Sequence, residues 1–210
     1  MAGMLAAGGR RALGKVDIAS TAFFVCDVQD RFRNVIHEMG SVISTSSFMV
    51  SVATTLDIPV IATEQYPKAL LHTCEEVGMA SAVASSGGRS AVFEKTLFSM
   101  CTPEVKEHVA KLGVKAVAIV GLETHVCVQQ TCLDLLEDGF DVHIVVDGVS
   151  SQRAVDRSVA LDRMRAAGAH LTTAESIVFM LMKDSKAPNF RAVSSLVKSR
   201  GKDPGNLSAL

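Results

Sequence analysis

Val117-Ala118-Ile119-Val120-Gly121-Leu122-Glu123-Thr124-His125-Val126-Cys127-Val128 is the stretch whose reading decides the fold. It opens with an apolar run rich in β-branched residues and closed by a glycine, the pattern of a strand buried on both faces. From Thr124 the period changes. Val128, Cys132, Leu135 and Leu136 recur near a 3.6-residue spacing, so a helix follows the strand directly. Thr124 is a good N-cap residue, which puts Cys127 in the first helical turn. Unpaired backbone N–H groups and the positive end of the helix dipole favour a thiolate there, making Cys127 a candidate nucleophile. A cysteine on a helix packed against a sheet is more often a small buried hydrophobe, so the case depends on what the other strand ends carry.

Working outward, the same alternation recurs. Ala22–Cys26 reads as a buried strand ending at Asp27, and Ser41–Leu56 as a helix with one apolar face. Ile58–Thr63 is a second strand, and Ser90–Phe93 a third with Glu94 and Lys95 at its end. Thr102-Pro103 starts a helix that stops at Gly113. A fifth strand covers Val142–Asp147, a helix Gln152–Ala167 closes at Gly168, His170–Thr172 forms a sixth strand, and Asn189–Lys198 a last amphipathic helix. The segment from Glu64 to Ser90 is irregular, with room for one short helix, and reads as a binding loop or lid. Residues 1–17 read as a flexible leader and 200–210 as a flexible tail, which leaves 18–199 as one domain.

Strands separated by helices imply right-handed crossovers and a three-layer α/β fold. Its Rossmann-like, six-stranded, mostly parallel sheet is flanked by helices. Ligands bind such sheets outside the carboxyl ends of the strands, near the point where strand order reverses. The residues just past strands one, three and four are Asp27, Lys95 and Glu123 to Cys127, so topology brings an acid, a cation and a thiol to one rim. Asp27 can take the thiol proton, Lys95 can stabilise the anion, and the backbone N–H groups of Glu123 and Cys127 can receive an oxyanion. This is the parts list for acyl transfer to cysteine followed by hydrolysis. Taken singly, Asp27 reads as a capping residue and Lys95 as a solvated charge. His125 ranks behind Asp27 as the base, because adjacent helical residues point in different directions.

The bulk numbers narrow the classes. The 210 residues are 48% hydrophobic and 20% charged with a formal net charge of -1, so no electrostatic footprint for nucleic acid or an anionic membrane is present. No apolar run approaches the ~20 residues of a membrane span. Five cysteines without a Cys-x-x-Cys pair argue against a disulfide framework and a zinc cluster, and favour a reducing compartment, the cytoplasm. Arg10, Arg11 and Lys15 without an acid leave a mitochondrial destination as the alternative.

Three segments carry a resemblance: Asp27-Val28-Gln29 with Phe32, Phe93-Glu94-Lys95-Thr96, and Gly121 to Val128. Together they resemble the signatures of the isochorismatase-like cysteine hydrolase superfamily. Thr63-Glu64-Gln65-Tyr66-Pro67 and Gly121-Leu122-Glu123-Thr124-His125 make the chain most similar to the isochorismatase domain-containing branch. The resemblance implies an Asp27–Lys95–Cys127 triad, a cis peptide between Leu122 and Glu123, and homo-oligomers such as dimers or tetramers. Gln29, Phe32, Glu64, Tyr66, Thr124 and His125 are the expected substrate-pocket residues. The nicotinamidase branch carries an Asp-x-His metal motif where this chain has Glu64-Gln65-Tyr66 with His72 alone, so neither a metal nor a cofactor is expected. The expected activity is hydrolysis of a C–N bond in a small amide, carbamoyl or ureido compound through a thioester on Cys127. The alternatives are a catalytically idle member that senses oxidants or binds a partner, and a ribonuclease-like protein.

Overall fold

A computed structural model describes residues 13–200. The parts of the expected leader and tail at 1–12 and 201–210 lie outside the described residues. Six strands form one sheet: β1 (Thr21–Cys26), β2 (Val60–Gln65), β3 (Ala91–Lys95), β4 (Ala116–Gly121), β5 (Asp141–Val149) and β6 (His170–Thr172). Every pairing is parallel and the order is β3-β2-β1-β4-β5-β6. The chain runs outward from β1 to β3, returns to the centre at β4, and runs outward the other way. The switch therefore lies between β1 and β4.

Alternation along the central strands builds two cores. On one face Phe23, Val25, Ala118 and Val120 pack with residues of α1 (Met39–Leu56), α3 (Met79–Ser85), α7 (Ala174–Met182) and α8 (Phe190–Ser199). On the other face Ala22, Phe24, Cys26, Val117 and Ile119 pack with residues of α4 (Pro103–Leu112), α5 (Gln129–Glu137) and α6 (Ala154–Ala167). Burying each phenylalanine contributes about 1.5–3 kcal/mol, and both faces need β-branched or aromatic residues, hence the unbroken apolar strands.

Several boundaries differ from the sequence reading. The region after β2 holds two helices, α2 (Pro67–Leu70) and α3, besides a 3-10 turn at Glu75–Val77. Helix α7 was not anticipated at all. Strand β5 continues past its expected end at Asp147 to Val149, and the Asp147 carboxylate accepts from Ala174 N–H at 2.8 Å, capping α7. Val16, assigned to the leader, is buried in the first core, and Arg200 binds Asp147 at 2.8 Å and stacks over Phe48. Helix α1 is long and apolar enough to span a membrane by length and composition, contrary to the expectation. It lies against the sheet with two thirds of its residues buried.

Candidate active site

The rim at the switch point is built on two left-handed or near-forbidden turns. Asp27 follows β1 with φ 51°, a conformation that costs a non-glycine residue about 1–3 kcal/mol and that aspartate tolerates better than most. At the end of β4, Gly121 has φ 121° and sits opposite Cys26. A Cβ there would stand 2.1 Å from the Cys26 carbonyl oxygen, so only glycine lets the two strands approach. The Leu122 N–H then donates to Cys26 O at 2.8 Å, and Thr124 N–H to Ser150 O at 2.9 Å.

Those bonds anchor both sides of the turn, and the Leu122–Glu123 peptide is trans, as is every peptide bond among the described residues. The expected cis bond is absent, and the turn follows Gly121 with its φ of 121°. Thr124 is also not the cap. Glu123 occupies that position, and the helix opens with one π turn, Thr124–Val128, before α5. The Thr124 hydroxyl is buried without a partner. Among the described residues, the N–H groups of Glu123 and Cys127 have no backbone acceptor outside the helix itself.

Asp27 and Lys95 meet at this rim. Strand β3 is two strands away from β1, and the long lysine side chain reaches past β2 to place Nζ 2.7 Å from Asp27 Oδ2. Its side chain is 0% exposed and that of Asp27 2%. The three ammonium hydrogens are shared among four oxygens: Asp27 Oδ2, Gln65 Oε1 at 2.7 Å, and the carbonyls of Leu97 and Phe98 at 3.1 and 3.0 Å. The Thr63 hydroxyl donates to Asp27 Oδ1 at 2.8 Å. Cys127, 7% exposed, is among the neighbours that pull the Asp27 carboxyl down.

Burial pushes the Asp27 carboxyl above the ordinary carboxylate range, against the pull of Lys95 and of hydrogen bonds from Lys95, Thr63 and Cys127. Burial also acts to lower Lys95, but Cys26, Asp27 and Cys127 around it hold the ammonium above its ordinary value. A charged lysine beside a carboxyl of raised basicity is suited to moving one proton to and from sulfur.

The other expected residues divide. Gln29 is fully buried and ties backbone together: its amide donates to Gln65 O at 3.1 Å and Leu71 O at 2.6 Å and accepts from Gln65 N–H at 2.8 Å. Glu64 accepts from Thr73 N–H at 2.7 Å and its hydroxyl at 2.8 Å, and lies 2.8 Å from His72 Nδ1. Burial opposes its ionisation, yet those partners hold its carboxyl below the usual range. Both residues hold loops together. Phe32 packs on the first core, and His125 is half-buried with Nδ1 3.0 Å from Ser151 Oγ. Tyr66, 52% exposed, lines a cavity of about 310 Å³ with Pro67, Glu94, Lys95, Leu97 and Glu104. Among the described residues, no three His, Cys, Asp or Glu side chains are grouped to hold a metal ion. Sequence reasoning missed Thr63, Gln65 and Cys26, whose contributions depend on strand register.

An isochorismatase domain model matches residues 21–176. The chain belongs to the isochorismatase family of hydrolases. Isochorismatase domain-containing protein 1 of Salmo salar is 44% identical over 197 residues, covering 93% of this chain and 67% of that protein. Among solved structures, the Caenorhabditis elegans protein described as MAR1 ribonuclease superposes with a TM-score of 0.84 at 39% identity, covering 93% of this chain and 98% of its own. The Escherichia coli YcaC gene product, described as an octameric hydrolase of unknown specificity, shares the fold with a TM-score of 0.78 at 22% identity. That match covers 91% of this chain and 93% of the other.

Proposed function

We propose that this family member is a metal-independent cysteine amidohydrolase acting on a small amide, carbamoyl or ureido compound. One observation supports the reading: a buried carboxylate and its ammonium partner stand at the switch point of a parallel sheet, and a thiol at a helix start is among the neighbours that shift the carboxyl. In the proposed sequence Asp27 takes the Cys127 proton and the thiolate attacks the substrate carbonyl carbon. The developing oxyanion is received by the N–H groups of Glu123 and Cys127. Asp27 returns the proton to the leaving nitrogen, and water then hydrolyses the thioester with Asp27 as base. Lys95 keeps Asp27 oriented and ionised. Assembly into a homo-oligomer belongs to the same proposal, by analogy with the octameric neighbour.

A ribonuclease reading is favoured by the description of the Caenorhabditis elegans relative. Against it, the Lys95 ammonium is wholly buried and its donors are engaged, so it is not presented to a phosphate. A panel of small amides, carbamates and ureas separates the two. Release of ammonia or amine that disappears in Cys127→Ala supports the hydrolase reading. Turnover that persists in Cys127→Ala, or cleavage confined to RNA, overturns it.

A further inference from the structure

Cys26 is a buried thiol that the hydrolytic sequence does not use. It ends β1, is 0% exposed, and falls on the same face of the sheet as Cys127, in the same core. The Cys127 thiol is among the neighbours that, after burial, push the Cys26 thiol up. Cys26 Sγ also lies 3.8 Å from Asp27 Oδ2. The backbone holds this arrangement, since Cys26 is paired with Gly121 and its carbonyl accepts from Leu122 N–H, immediately before the turn that carries Cys127. Cys74, by contrast, packs on the opposite face of the sheet. An apolar residue in this core position would leave no second sulfur near the first.

We propose that Cys26 and Cys127 form a reversible disulfide, with Cys26 resolving a sulfenic acid made on Cys127 by a peroxide. Cys127 has a small exposed surface and meets the oxidant first, while Cys26 is shielded. The Cys127 thiolate attacks one peroxide oxygen and the O–O bond breaks. The other oxygen leaves as hydroxide and takes a proton to become water, so sulfur is oxidised and peroxide reduced. The Cys26 sulfur then attacks the Cys127 sulfur and the S–O bond breaks. Asp27 accepts the Cys26 proton and passes it to the departing hydroxyl, which leaves as a second water. Burial holds the Cys26 thiol well above its ordinary value, so a neighbouring base is needed for this second step. While the bridge stands no nucleophile is present, and a dithiol reductant restores both thiols. The inference does not rest on the amide reading, because its readout is mass.

The test treats the full chain with hydrogen peroxide and maps the products by intact and peptide mass spectrometry. The expected product has lost two hydrogens, has two fewer alkylatable thiols than the five of the untreated chain, and yields a peptide pair joining Cys26 to Cys127 that dithiothreitol separates. In Cys26→Ser, with its fold checked by circular dichroism, the same dose carries Cys127 on to the sulfinic acid, which dithiothreitol does not reverse. Accumulation of sulfinic acid on Cys127 of the unmodified chain while Cys26 stays alkylatable overturns the proposal. So does a Cys26→Ser protein that recovers its thiol as completely as the parent.

Discussion

Replacing Lys95 with methionine keeps most of the buried stem and deletes the charge, which makes it the sharpest probe of the site's electrostatics. The lysine donors now serve Asp27, Gln65 and the carbonyls of Leu97 and Phe98 in a place without solvent. Removing one partner of a buried ion pair costs about 3–5 kcal/mol when the survivor stays charged. Asp27 can avoid that cost by taking a proton, and this sets the sign of the pH dependence. Its carboxyl is already raised by burial even with Lys95 present, and losing the ammonium raises it further. A carboxyl whose folded pKa exceeds the unfolded one favours the fold fully below about pH 4 and progressively less as pH rises through the folded value. The deficit of Lys95→Met should therefore be about 1–2 kcal/mol near pH 5, from the carbonyls left without a donor, and should grow to about 3–5 kcal/mol near pH 8. Urea denaturation followed by circular dichroism measures it, since the chain has no tryptophan and one tyrosine. A deficit below about 1 kcal/mol at both pH values, or one that shrinks as pH rises, would refute the reasoning.

Two further substitutions test the frame. Gly121→Ala puts a Cβ 2.1 Å from the Cys26 carbonyl oxygen and 2.7 Å from its nitrogen, so β1 and β4 must separate. A loss above about 3 kcal/mol in denaturant is expected, and a near-neutral variant contradicts the close approach. His143 is 1% exposed with an unpartnered Nε2, and burial, aided by His170, lowers its pKa to about 4. A depressed folded value means stability present above about pH 6.5 and lost as pH falls toward 4, amounting to about 2 kcal/mol by pH 5. His143→Phe, which keeps a ring against His170, should flatten stability between pH 7 and 5 by about that amount, and parallel curves for the two proteins would contradict it.

What the sequence made legible follows from the range of each signal. Asp27 follows one apolar strand, Lys95 ends another and Cys127 lies one turn into the helix after a third, and a parallel sheet puts its carboxyl ends on one rim whatever the detailed register. Thr63 and Gln65 look like ordinary polar strand-end residues. Their contacts with Asp27 and Lys95 arise only once Cys26 pairs with Thr63 and Gln65 with Lys95. Gln29 and Glu64, expected as pocket residues, also tie loops together, Gln29 through backbone groups and Glu64 through Thr73 and His72. Helix α7 is apolar around most of its circumference, which erases the periodic signal. Its one marker was Thr173, whose hydroxyl caps the helix by accepting from Ser176 N–H. A cis bond between Leu122 and Glu123 was expected to aim the oxyanion donors, whereas that peptide is trans and follows the close strand contact at Gly121.

The claim on which everything turns is that Asp27 and Lys95 act on one sulfur. Burial pushes Cys74 and Cys132 up to about 12 and Cys101 to about 11, and raises Cys26 as well. Timed alkylation with iodoacetamide, resolved by peptide for all five cysteines, compares Cys127 with these in the parent and in Asp27→Asn. The account predicts that Cys127 reacts first in the parent and at least about tenfold more slowly in Asp27→Asn. A Cys127 that reacts no faster than Cys101, or one indifferent to the loss of the carboxylate, would contradict it.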